Sequence, residues 1–308
     1  MRRISALVCL FGGTLACGDS GSGEVGGDMN PPQESASDGT TDTLSANIDV
    51  SFQGGVGVFG LSAGEVADGW TLEYTRFLVT FGTITFTRAD GSKVVQDELE
   101  VLDLLAAASP LSLASVKVPH GINAISFTLP NASDGFKPHG SASSEDVDAM
   151  VKGGYSLLVE GRITKADGHT CIGEDPPLCT PAPEITFSWG VAAGALFNDC
   201  PELDIDADEA LMLDVPGDRW LHTNFAAAGA APPVLRAQWI ADADSDRDSE
   251  VTMDELAAIK ARTMFTPVKG YDVRSDAPIP VETARDFVEA QARMIGADAL
   301  GCGETSSP

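Results

Sequence analysis

Apolar residues stand at every second position from Phe77 through Val79 to Phe81, and again at Ile84 and Phe86 after a break at Gly82. A period of two puts alternate side chains on opposite faces of an extended chain, so this stretch must be a strand with one buried face. A one-position slip across a glycine is how a β-bulge reads. Ala89-Asp90-Gly91 then supplies a hairpin turn, and Lys93 to Val95 begins the return strand. The alternation recurs at Ile125, Phe127 and Leu129, at Ile185, Phe187, Trp189 and Val191, and at Leu211, Leu213 and Val215, with a further strand over Tyr155–Ile163. Glu98–Ala108 suits a short helix or a strand. Short strands at this density, with Gly, Pro and Asp between them and no regular βαβ alternation, predict a mainly β protein. Residues 46–223 would form an antiparallel β-sandwich.

Past residue 223 the period becomes helical. Pro232-Pro233 opens a predicted short helix carrying Leu235, Trp239 and Ile240, with proline suited to the first turn. A last helix is expected over Val281–Ile295, with Ala284, Phe287, Val288 and Met294 inward and Gly296 as its stop. Residues 224–308 thus read as a helical appendage, and its stripes as core packing.

Between those helices lies the most chemically specific stretch, D-S-D-R-D-S-E-V-T-M-D-E from Asp244 to Glu255. Asp244, Asp246 and Asp248 occupy positions 1, 3 and 5 of a twelve-residue calcium loop, a spacing that curls three carboxylates around one ion. Glu250 would offer its backbone carbonyl from position 7. Thr252 would hold a bridging water at position 9, and Glu255 would be the bidentate carboxylate at position 12. Val251 is the apolar residue that anchors such a loop. The stretch resembles the EF-hand family over about thirty residues, and the resemblance implies bound Ca²⁺. Position 6, normally glycine, is Ser249; serine at positive φ costs roughly 1 kcal/mol, which predicts weaker binding than in a glycine loop. Thr252 and Glu255 also stand at capping-box spacing before the stripe Met253, Leu256, Ile259.

The N-terminus is an address. Arg2 and Arg3 precede a short apolar run, Ile4–Phe11, and then Gly13-Thr14-Leu15-Ala16-Cys17. Residues 1–17 resemble a bacterial lipoprotein signal with Cys17 as the lipidated residue. Gly18 after the cysteine resembles the outer-membrane sorting pattern, so the expected membrane partner is reached through acyl chains. Residues 18–45 are polar and acidic, and read as a disordered tether.

A formal charge of −27 excludes nucleic acid and anionic membrane surfaces as natural partners. With Cys9 and Cys17 set aside, Cys171, Cys179, Cys200 and Cys302 remain, and four cysteines in an exported chain predict two disulfides. Of three connectivities the simplest is Cys171–Cys179 with Cys200–Cys302. Gly60-Leu61-Ser62-Ala63-Gly64 matches the nucleophile elbow of hydrolases after a strand-like Val56–Phe59, but Glu65–Gly69 is too short for the helix an elbow must open. Asp204–Asp208 opens like a second calcium loop, yet Val215 stands where the bidentate glutamate belongs.

The Arg76–Thr87 strand with its Asp90-Gly91 turn, Phe187-Ser188-Trp189, and the acidic loop before a C-terminal helix also resemble MbnP-like envelope proteins over residues 47–295. Some of these bind copper. That resemblance implies a copper or other transition-metal protein as the alternative, with His120, His139, His169 and His222 as its unassigned donors. The expectation is a non-enzymatic, calcium-binding outer-membrane lipoprotein, with calcium as a structural ion; a secreted hydrolase ranks below both readings.

Overall fold

The computed structural model describes residues 44–106, 110–173, 178–198, 200–225, 233–273, 277–300 and 302–305. The signal segment with Cys17, and the tether as far as residue 43, lie outside the described residues. Every described residue belongs to one compact unit.

In chain order the strands begin with β1 (Ser45–Gly54), β2 (Thr71–Arg88), β3 (Lys93–Asp103), β4 (Leu111–Pro119), β5 (Gly121–Leu129) and β6 (Lys137–His139). Helix α1 (Ser144–Gly153) precedes β7 (Leu157–Thr164), β8 (His169–Ile172), β9 (Leu178–Pro181), β10 (Glu184–Val191), β11 (Ala195–Asn198), β12 (Leu203–Ile205) and β13 (Glu209–Val215). The C-terminal part holds α2 (Gln238–Ala241), β14 (Glu250–Thr252), α3 (Met253–Ala258), α4 (Ala261–Met264), α5 (Ala284–Leu300) and β15 (Gly303–Thr305). The protein is mainly β and sandwich-like, with small helices at its C-terminal end.

β2 is the spine of the larger sheet. Its first half pairs with β7, from Thr71 opposite Thr164 to Val79 opposite Leu157, and its last residues pair with β5. β3 runs antiparallel along the other edge. The register against β3 slips between Phe81 and Thr83, so the bulge falls where the alternation breaks. Only glycine fits there, because a Cβ on Gly82 would lie 2.6 Å from Thr128 Oγ1 and 2.9 Å from the Pro130 ring. The ambiguous Glu98–Ala108 segment resolves as strand up to Asp103. A three-stranded sheet, β13-β1-β4, forms the second layer. Most pairs are antiparallel, but β1–β13, β3–β6 and β10–β14 run parallel.

The two layers share one core. Phe52 of β1 meets Phe81 of β2 edge-on at 5.3 Å between ring centroids. Helix α1 covers the opposite face of the large sheet, where Val147 and Met150 pack with Leu78, Val101 and Leu158. The sequence reading missed α1, although Ser143 and Asp146 form a full capping box at its start.

The C-terminal helices belong to the same core. Trp189 of β10 stacks on Trp239 of α2, and Trp239 meets both Phe265 and Phe287 of α5. Three helix limits differ from expectation, among them the start of α5, which lies at Ala284 rather than Val281. α2 starts at Gln238, because Leu235 is drawn into a bridge with His222 and the Asp68 carboxylate accepts from the amides of Ala237 and Gln238. α5 runs through Gly296 to Leu300. That glycine serves close packing, since a Cβ would sit 2.3 Å from the Phe197 ring. Val56–Phe59 is a turn, not a strand. The disulfides take the simplest pairing, Cys171–Cys179 and Cys200–Cys302.

Candidate metal centre

The acidic loop hangs between α2 and α3. Both flanking helices are short, four residues before it and six after it, so the body rather than long helices must hold the loop. Its residues Glu250–Thr252 finish the large sheet as an edge strand parallel to β10. Thr186 donates from its amide (2.9 Å) and hydroxyl (3.0 Å) to the Ser249 carbonyl, and the buried Trp189 indole donates to the Val251 carbonyl at 3.0 Å. Val251 is fully buried, which is the anchoring role expected for position 8.

Within the loop, Asp244 is 2 % exposed and organises the turn. Its Oδ1 accepts the Asp248 amide at 3.1 Å and its Oδ2 accepts the Ser249 amide at 3.2 Å. Asp248 Oδ1 in turn accepts the Glu250 amide at 2.8 Å. Ser249 sits at φ 69°, the left-handed conformation expected at position 6, and Arg247 sits at φ 66°. Glu255 reaches back across the loop: one oxygen accepts from the Ser245 amide at 3.1 Å and the other from the Thr252 amide at 2.9 Å. Thr252 Oγ1 completes the capping box of α3. The side chain of Glu250 is exposed and is not part of the convergent carboxylate set.

One carboxylate oxygen each from Asp244, Asp246 and Glu255 lie within 4.8 Å of one another. Oxygens on one Ca²⁺ at 2.3–2.6 Å can be about 5 Å apart at most, so this spacing suits a shared hard cation. Asp248 is not in that convergent set, its carboxylate being turned to the Glu250 amide. Burial pushes the Asp244 carboxyl above the usual range, with the nearby Glu255 and Asp248 charges adding to the rise and the Ser249 and Arg247 amides opposing it. A cation at the centre would oppose that rise by favouring the ionised carboxylate.

The other sequence candidates fall elsewhere. His139 pairs with Glu100 at 3.0 Å. The Arg219 guanidinium lies 3.0 Å from Nδ1 of His222. Because a guanidinium only donates, Nδ1 accepts, and Nε2 lies 3.3 Å from Asp218 Oδ2. His169 stands on the β8–β9 hairpin near the disulfide. His120 donates its backbone amide to the Leu44 carbonyl at the end of β4. Among the described residues, no potential metal cluster contains two histidines. Ser62 Oγ donates to Glu65 at 2.7 Å, and turns follow it where an elbow needs a helix. Asp204 lies on β12.

No protein-family model matches the sequence, and no curated protein matches it either. Among solved structures, MbnP from Methylosinus trichosporium is similar at 8% identity, with a TM-score of 0.30, over 64% of this chain and 83% of its own. That likeness is weak.

Two features of the loop went unread in the sequence. Arg247 gives no sign of its left-handed backbone. The pairing of β14 with β10 needs residues 64 positions apart to meet, although the short alternation at Glu250–Thr252 is compatible with a strand.

Proposed function

We propose that the protein is a calcium-binding lipoprotein of the cell envelope, non-enzymatic, in which one Ca²⁺ in the Asp244–Glu255 loop is a structural ion. The convergence of Asp244, Asp246 and Glu255 oxygens within 4.8 Å carries this reading. In the occupied site Asp248 would turn from the Glu250 amide to join them, and the Glu250 carbonyl and a water on Thr252 would fill the shell to six or more oxygens. The body supports the role: an ion that straightens the loop also sets the edge strand on β10 and the start of α3. Binding energy then becomes folding energy. A left-handed serine and short flanking helices point to a dissociation constant of about 10–100 μM, sufficient in the roughly millimolar calcium outside cells. Anchoring would come from acyl chains on Cys17, on the outer membrane, with the acidic tether between anchor and body. The tests separate the two halves. Calorimetric titration should find one Ca²⁺ site that Glu255→Gln abolishes, and a flat titration refutes the ion. Cys17→Ser should release the protein from the membrane fraction; unchanged fractionation, with no lipid mass on Cys17, refutes the anchor.

A further inference from the structure

The β8–β9 hairpin carries a second set of metal-type donors. Its register sets Cys171 directly opposite Cys179, with Thr170 opposite Thr180 and His169 opposite Pro181. A ring nitrogen of His169 and the two sulfurs all lie within 4.8 Å of one another. The sulfurs are joined as a disulfide, so in the oxidised protein neither is a ligand. Cys179 is exposed and Cys171 half-exposed, whereas Cys200 and Cys302 are 7% and 5% exposed. A soluble reductant therefore meets the hairpin bridge first.

What makes the cluster more than a neighbourhood is how its backbone is held. The Cys171 amide donates to Asp242 Oδ1 at 2.9 Å, and the His169 carbonyl accepts from Gln238 Nε2 at 2.7 Å. Gln238 also bridges to Asp242 at 2.9 Å and takes the Trp70 indole hydrogen at 3.1 Å. Strand β8 is thus fastened to α2 by bonds that do not involve sulfur, and the ladder keeps β9 beside it. Opening the disulfide leaves both thiols and the imidazole in place on a rigid element. Nδ1 of His169 lies 3.3 Å from the Asp167 carbonyl oxygen, which can fix the tautomer that leaves Nε2 to accept. A cleft of about 390 Å³ runs alongside, lined by Asp167, His169, Cys179, Thr180 and Pro181, and gives an ion access.

We propose that reduction of the Cys171–Cys179 disulfide converts this hairpin into a Cys₂His site, formed by Cys171, Cys179 and His169, for a thiophilic cation such as Zn²⁺ or Cu⁺. The reductant is a dithiol. One of its thiolates attacks a hairpin sulfur, the S–S bond breaks, and its second thiol displaces the mixed disulfide. The dithiol leaves oxidised, and Cys171 and Cys179 gain the two electrons and two protons. Binding of a divalent cation then expels those two protons as the sulfurs become thiolate ligands. Metal–sulfur distances near 2.3 Å and metal–nitrogen distances near 2.0–2.1 Å need only small movements from the present spacing, and water takes the fourth position. Soft thiolates select against Ca²⁺, so this site and the acidic loop would not compete for the same ion.

The test uses the full chain in saturating Ca²⁺. The protein is reduced with dithiothreitol, desalted without oxygen, and titrated with Co²⁺, whose thiolate complexes show a charge-transfer absorption that carboxylate complexes lack. The reduced wild type should take up one Co²⁺ with that absorption and lose it to added Zn²⁺. The oxidised wild type and the reduced Cys171→Ser/Cys179→Ser double variant should show none, and His169→Ala should weaken binding at least about tenfold. Absence of the absorption in the reduced wild type overturns the proposal. So does its survival in the double variant, which would assign it to other cysteines, and so does unchanged affinity in His169→Ala. If the double variant does not fold, His169→Ala still decides, because a site on Cys200 and Cys302 would keep wild-type affinity in that variant.

Discussion

Replacing Trp189 with Phe tests whether the sandwich holds the acidic loop in place. The indole is fully buried, stacks on Phe187 at 4.5 Å and on Trp239 at 5.6 Å, and donates to the Val251 carbonyl at 3.0 Å. Phe keeps a ring in the stack but loses the donor, at about 1 kcal/mol for a buried hydrogen bond. The smaller ring leaves a partial cavity among rigid aromatic neighbours, worth about 1–2 kcal/mol more. The sum is about 2–3 kcal/mol, read as a lower midpoint in urea with an unchanged slope. Because the lost bond ends on the loop's own backbone, calcium affinity should fall as well. Val50→Ala, fully buried on β1 in the three-stranded sheet, is the control: it should lower stability and leave calcium affinity alone. Equal calcium affinity in Trp189→Phe and wild type would refute the coupling of loop to sheet. A stability loss below about 0.5 kcal/mol would refute the packing account.

Three further outcomes are expected. In the chain-entropy model, the Cys200–Cys302 bridge, with a sequence separation of 102, is worth about 4.7 kcal/mol, and the Cys171–Cys179 bridge, with a separation of 8, about 2.5 kcal/mol. Urea unfolding of the two Cys→Ser pairs should therefore rank the long bridge first, and the reverse order would contradict that account. Burial raises the Asp242 carboxyl, opposed by hydrogen bonds from Gln238 and the Cys171 amide. A raised folded value means the ionised group costs stability. The cost is absent below the unfolded value near 3.9 and grows as pH climbs through the folded value. Asp242→Asn should accordingly match wild type at acid pH and exceed it at neutral pH, as chemical denaturation across pH would reveal. Asp244 is raised by the same kind of burial, so in calorimetry calcium affinity should weaken as pH falls toward the carboxylate range, with protons competing at this residue first.

How far the sequence could be read depended on whether a signal was local. The bulge was legible because Gly82 shifts the alternation by one position and a Cβ there collides with Thr128 and Pro130. The capping box at Thr252 and Glu255, the left-handed Ser249 and both disulfides were legible for the same reason: each follows from residues close in sequence or from counting cysteines. Gly296 misled, since the same residue that ends helices also allows close packing, and here Phe197 across the core decides between the two. The start of α2 depends on the Asp68 carboxylate, some 170 positions away, which no local pattern encodes. The candidate site was read as a helical appendage, whereas β14 joins it to the sandwich by pairing with β10.

The most direct test is a pair of thermal melts of the protein, one in millimolar Ca²⁺ and one in chelator. At a hundredfold excess of ion over the dissociation constant, binding adds about 2.7 kcal/mol to stability, and the wild type should melt several degrees higher with calcium. Glu255→Gln should lose most of that difference, while Asp204→Asn, on β12, should keep it. Identical wild-type melting temperatures with and without calcium would contradict the account and leave the loop an acidic turn.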